Sequence, residues 1–112
     1  MPKPRPEFQP GRFYHIYNRG AHRVSIFRNP ANYYFVLGRM RRYVKELKLA
    51  LIAYCLMPNH YHYLIRQDGD QRAGLLPQRV FNSYSKAYNK RYDHSGTLFE
   101  DNYKIIPVLR CV

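Results

Sequence analysis

The chain reads as strand, helix, strand, strand, helix, strand, an order that predicts an α+β domain. The expected arrangement is a ferredoxin-like split βαβ fold, a four-stranded antiparallel sheet with two helices on one face. Three observations carry it. Two stretches have helical apolar spacing, an apolar run is followed by an alternating strand, and 112 residues leave room for one core and no more.

The first ten residues hold four prolines and two basic side chains, which predicts a flexible, basic, Pro-rich arm over 1–10 ahead of a domain over 11–112. Arg12 to Asn18 is rich in aromatic and β-favouring residues and is expected as the first strand, stopping at Arg19-Gly20. Asn29-Pro30 is a helix start, with Asn as cap and Pro in the first turn. Tyr33, Leu37, Met40, Val44 and Leu47 then form an apolar stripe. Leu49 to Met57 is nearly continuous in apolar residues and predicts a strand buried on both faces. Pro58-Asn59 turns it into a strand over His60 to Arg66. Leu75 to about Tyr92 is the second helix, with Leu76, Val80, Tyr84 and Tyr88 on one stripe. Asn102 to Leu109 is the fourth strand, and Pro107 places it at a sheet edge or ends it early.

Nineteen Lys and Arg against seven Asp and Glu give a formal charge of +12, which points to an anionic partner, nucleic acid first. A membrane is not expected, because the one long apolar run is too short to span a bilayer. The start, Met1-Pro2-Lys3-Pro4-Arg5-Pro6, lacks the apolar core of a secretory signal, so the expected compartment is the cytoplasm. Cys55 and Cys111 have no metal-type spacing and are expected as free thiols.

The chemistry concentrates in Met57-Pro58-Asn59-His60-Tyr61-His62. Side chains two apart on a strand share a face, so His60 and His62 present two imidazoles side by side, half of a metal site. The greasier set Tyr61, Tyr63 and Ile65 is expected to face the helices, leaving the histidines on the open face. Two neutral imidazoles suit manganese, cobalt, nickel or zinc better than magnesium alone. His15, Asn18, Gln67 and Asp68 are candidates for a further ligand. Strands one and three are central neighbours in this topology, so His15 is expected close to the pair as third ligand or supporting partner.

Tyr14-His15-Ile16-Tyr17-Asn18-Arg19-Gly20, the segment Ala53 to His62, and Tyr88-Asn89-Lys90-Arg91-Tyr92 through Ser95-Gly96-Thr97-Leu98-Phe99-Glu100 together resemble the single-tyrosine HUH transposases of bacterial insertion sequences. The similarity is to their REP-associated tyrosine transposase branch in particular and covers nearly the whole chain. It implies a nuclease domain, usually homodimeric, that binds single-stranded or hairpin DNA in bacteria. It also implies a divalent ion, Mg2+ or Mn2+, on His60 and His62, and a tyrosine that attacks the scissile phosphate to leave a 5′-phosphotyrosine. In that family the tyrosine lies on a helix after the last core strand, so the nucleophile is expected beyond Val112. Tyr88 and Tyr92 are weak substitutes, since their helix should pack beneath the sheet. Arg19, Arg41, Arg42, Lys45, Lys86, Lys90 and Arg91 are the expected DNA contacts. The alternative is a non-catalytic nucleic-acid-binding module that stacks bases on sheet tyrosines.

Overall fold

A computed structural model describes residues 7–108. It contains β1 (Phe13–Arg19), α1 (Pro30–Glu46), β2 (Leu49–Met57), β3 (His60–Gln67), α2 (Leu75–Arg91) and β4 (Lys104–Val108), with a short 3-10 turn at Ala21–Arg23. The strands form one sheet in the order β2-β3-β1-β4, each neighbour antiparallel. This is the expected split βαβ arrangement. Of the fourth strand's expected span, Leu109 lies outside the described residues, as does Cys111.

Alternation along the central strands divides the sheet into two faces. Tyr14 and Ile16 on β1, with Tyr61, Tyr63 and Ile65 on β3, are buried in the core beside Val36 and Met40 of α1 and Leu76, Val80, Phe81, Tyr84 and Tyr88 of α2. Tyr61 stacks on Phe81 with centroids 4.0 Å apart, which fixes α2 beneath the centre of the sheet. Tyr84 donates a hydrogen bond to the Ile26 carbonyl, and Tyr88 to that of Ser25 at 2.8 Å, so the tyrosine stripe of α2 anchors the loop after β1. Burial pushes the Tyr84 phenol above its ordinary pKa, as suits a packing residue.

Helix α1 starts at Asn29-Pro30, but the capping group is Asn32. Its side-chain oxygen accepts from the backbone N–H groups of Arg28 at 2.7 Å and Asn29 at 3.2 Å.

One expectation is corrected. The apolar strand β2 is an edge strand, and Ile52, Tyr54 and Met57 are 48%, 52% and 41% exposed. Strand order decides this: β3 pairs with β1 on its other side, so β2 has one neighbour, and only its start, around Leu49, is buried. The expected arm over 1–10 lies outside the described residues up to position 6. Within the described part of that arm, Phe8 packs on Tyr14, whose hydroxyl accepts from the Gln9 N–H and donates to the Glu7 carbonyl.

Candidate metal centre and nucleic-acid face

The turn before β3 is fixed by its carbonyls. Pro58 O accepts from the N–H groups of Ile26 (2.7 Å) and Phe27 (3.1 Å), and Asn59 O from Gly20 N–H at 2.9 Å. Gly20 is needed there for space, because a Cβ would come within 2.5 Å of the Val24 carbonyl oxygen. Ile26 and Phe27 are themselves buried, so the loop that grips the turn is part of the core. The entry of His60 and His62 into the sheet is therefore set by packing.

Cross-strand register then lays out the open face in rows. Met57, His60 and Arg19 form one row, and Cys55, His62, Tyr17 and Lys104 the next. A third runs Ala53, Leu64, His15 and Ile106. β1 brings His15 against His62, with His15 Nε2 3.0 Å from His62 Nδ1, but among the described residues the three histidines are not grouped as a three-ligand metal site. The ring centroids are 5.2 Å apart and the planes only 20° apart, so the two imidazoles meet edge to edge, nearly coplanar. Tyr17 lies alongside both, with centroids 5.2 Å from His15 and 5.6 Å from His62.

The hydrogen bonds leave one nitrogen free on each histidine of the pair. His60 Nδ1 lies 2.8 Å from Asn59 Oδ1, an acceptor, so Nδ1 carries the proton and Nε2 keeps its lone pair. His62 has its Nδ1 engaged by His15, again leaving Nε2. Its pKa is lowered by partial burial first, then by the neighbouring His15 and His60, which favours the neutral form that ligates metals.

Among the described residues no group of three or more His, Cys, Asp or Glu side chains is placed to hold a metal ion. An ion here would be held by the two imidazoles of His60 and His62, with solvent or phosphate oxygens completing its shell.

Of the other candidate ligands, Asn18 lines the same cleft as His60 and His62, but its amide N–H donates to the Asp101 carbonyl at 2.8 Å and its side-chain oxygen accepts from the Arg19 N–H at 2.9 Å. Gln67, at the far end of β3, bonds Ala73 and Gly69. Asp68 is paired with Arg66, which holds its carboxyl below the usual range. Tyr88 and Tyr92 are not brought to the histidines. Both hydroxyls are engaged on the helical layer, Tyr92 donating to Asn32 Oδ1 at 3.0 Å.

Of the basic residues, Arg19 sits beside His60 and pairs with Glu100 at 2.8 Å. Arg41, Lys45, Lys86, Lys90 and Arg91 are exposed on the helices, away from the open face, and Arg42 pairs with Glu46. A cleft of about 500 Å³ holds Tyr17, Arg19, His60, His62, Glu100 and Lys104. Tyr17, Glu100 and Lys104 were missed in the sequence. The alternation that placed His15 would have found Tyr17, whereas Glu100 comes from a loop with no periodicity. A larger cavity, about 720 Å³, lies on the helix side between α2 and the approach to β4 and contains no histidine. His60 and His62 line the smaller cleft.

Fold and site define a class: a basic split βαβ domain with a histidine pair on its open sheet face. The chain belongs to the IS200-like transposase family, whose model, described as Transposase IS200 like, matches residues 11–109. Two solved structures share the fold. A REP-associated tyrosine transposase bound to a REP hairpin superposes with a TM-score of 0.71 at 11% identity, over 99% of this chain and 64% of that one. A protein from Deinococcus radiodurans R1, described as a candidate transposase, gives 0.65 at 16% identity, over 95% and 85%. This chain thus spans about two thirds of the hairpin-bound protein's length. No curated protein sequence matches it. Among the described residues no helix is long and apolar enough to cross a membrane.

Proposed function

We propose that this chain is the DNA-binding and metal-binding part of an HUH-type transposase, acting on single-stranded or hairpin DNA in the bacterial cytoplasm. The observation that carries the reading is the meeting of His15, His60 and His62 on the open sheet face, beside Arg19 and Lys104, in a chain of charge +12. The hairpin bound by the REP-associated relative supports the choice of DNA form.

His60 and His62 would hold Mg2+ or Mn2+ through the ring nitrogens their hydrogen bonds leave available. A divalent ion there supplies Lewis-acid polarisation of a phosphoryl oxygen. Arg19 and Lys104 neutralise the flanking phosphates, and His15 keeps the His62 ring oriented through the hydrogen bond on Nδ1. The attacking phenol comes from a helix C-terminal to β4, as the family resemblance implies, and not from Tyr88 or Tyr92. Its oxygen gives up its proton to solvent and bonds to phosphorus as the phosphorus bond to the 3′-oxygen breaks, and the leaving oxygen takes a proton from solvent, so that the products are a 5′-phosphotyrosine and a free 3′-hydroxyl. The exposed basic residues of α1 and α2 form a second surface for the DNA backbone, and the apolar edge of β2 suits a homodimer contact.

Binding of a DNA hairpin with a single-stranded flank, measured with and without Mn2+, tests the reading. Binding by the wild type that tightens with Mn2+, and loses that gain in His60→Ala and His62→Ala, supports it. Binding that ignores both metal and histidines favours a non-catalytic nucleic-acid-binding module.

A further inference from the structure

The open face carries more aromatic surface than two metal ligands need. We propose that His15, Tyr17 and His62 together form a stacking seat for one unpaired nucleobase of the bound DNA, next to the phosphate handled by His60 and His62. This rests on the DNA-binding reading above and adds where a base sits.

The edge-to-edge contact of the two imidazoles makes a nearly flat double ring. Tyr17 stacks against both imidazoles, inclined by 30° to His15 and 21° to His62 with centroids 5.2 and 5.6 Å away, so the three rings form one aromatic cluster. All three side chains come from β1 and β3, the central strands, on the face opposite the helices. All three side chains are half-buried, so part of each ring is open to solvent.

Tyr17 also differs from the structural tyrosines. The hydroxyls of Tyr14, Tyr84, Tyr88 and Tyr92 are each tied to a backbone or amide group, whereas that of Tyr17 makes no hydrogen bond among the described residues. Its ring packs on the two histidines.

The occupant follows from charge and shape. Lys104, paired with Asp101 at 3.5 Å, lies directly across from Tyr17 on β4, and Arg19, paired with Glu100, follows two positions along β1, so cations that can turn to phosphates sit beside the aromatic cluster. Every base has a π-face, so such a seat accepts single-stranded DNA without demanding one sequence. A duplex keeps its bases stacked on one another and offers none.

The test uses the full chain and a DNA hairpin with a single-stranded flank that carries 2-aminopurine at each position in turn, with the same hairpin lacking the flank as a control. The wild type should bind, and its fluorescence should be quenched at one flank position. Tyr17→Phe should keep both the affinity and the quench. Tyr17→Ala should lose the quench and weaken flanked-hairpin binding by about five- to a hundredfold, the range expected for one base stack. It should bind the blunt hairpin as the wild type does, with an unchanged melting temperature. If Tyr17→Ala binds the flanked hairpin as tightly as the wild type, the seat is wrong although DNA binding stands. If Tyr17→Phe loses as much as Tyr17→Ala, the hydroxyl matters and stacking does not. A wild type that binds neither hairpin overturns the DNA reading itself.

Discussion

His15 Nε2 and His62 Nδ1 lie 3.0 Å apart, joining side chains 47 positions apart in sequence. The bond exists because β1 and β3 are neighbours at the centre of the sheet, with Tyr17 opposite His62 in the register. It turns a histidine pair on one strand into a supported site on two.

A supporting hydrogen bond of this kind orients a metal-binding imidazole, and its loss typically costs about 10- to 100-fold in metal affinity. His15→Ala should therefore weaken Mn2+ binding by about that range while leaving the melting temperature near that of the wild type. Isothermal calorimetry decides it, and an unchanged affinity would make the His15 contact incidental.

Protonation of His62 is disfavoured in the folded chain, first by partial burial and then by His15 and His60. The unfolded chain, with an ordinary value of about 6.5, takes up that proton more readily. The contribution to stability is thus present above the unfolded value and is lost as pH falls through the lower folded one. In an NMR titration the His62 ring should titrate below the ordinary histidine value, and it should move upward in His15→Ala. Titration at or above the ordinary value would contradict this.

Two buried tyrosines should respond in opposite ways to loss of the hydroxyl. Tyr84→Phe strands the Ile26 carbonyl and should cost about 1–3 kcal/mol of stability. The Tyr63 hydroxyl is buried without a partner among the described residues, so Tyr63→Phe should be neutral or stabilising, by at most about 1 kcal/mol. Urea melts of the two variants check the pair, and a strongly destabilised Tyr63→Phe would reveal an unseen partner for that hydroxyl.

The order of elements, the helical stripes and the inward set on β3 were legible because each rests on local periodicity. His15 was legible too, but only through topology, since no spacing links it to His60. What escaped is what depends on neighbours distant in sequence. The apolar residues of β2 look buried on composition, yet strand order leaves Tyr54 and Ile52 at an edge. Ile26, Phe27 and Leu98 are core residues in irregular segments, where no period marks them. Gln67 looked like a ligand because its type can ligate, but its amide is spent on closing the loop to Ala73.

Because the helices and the open face carry different basic residues, DNA binding should show two kinds of cation. Affinity should fall with salt at a slope of about −0.7 per phosphate neutralised on single strands and about −0.9 on duplex. Lys86→Ala with Lys90→Ala should reduce that slope without altering Mn2+ affinity. A slope that stays flat with salt in the wild type would remove phosphate contact as the basis of binding.

On the proposed function, the placement of α2 beneath the sheet leaves Tyr88 and Tyr92 out of the reaction. In denaturing gels with a labelled hairpin substrate, any covalent protein-DNA adduct should persist at the same yield in Tyr88→Phe and Tyr92→Phe. An adduct abolished by either substitution would mean that α2 leaves the core to reach the histidines.

The most direct test of the histidine pair as a metal centre counts the nitrogens on the ion. Pulsed EPR of Mn2+ bound to the protein with hairpin DNA should show two coordinated imidazole nitrogens in the wild type and one in either His60→Ala or His62→Ala, with the double variant showing none. Two nitrogens that persist in His62→Ala, or none in the wild type, would contradict the assignment of His60 and His62 as the ligands.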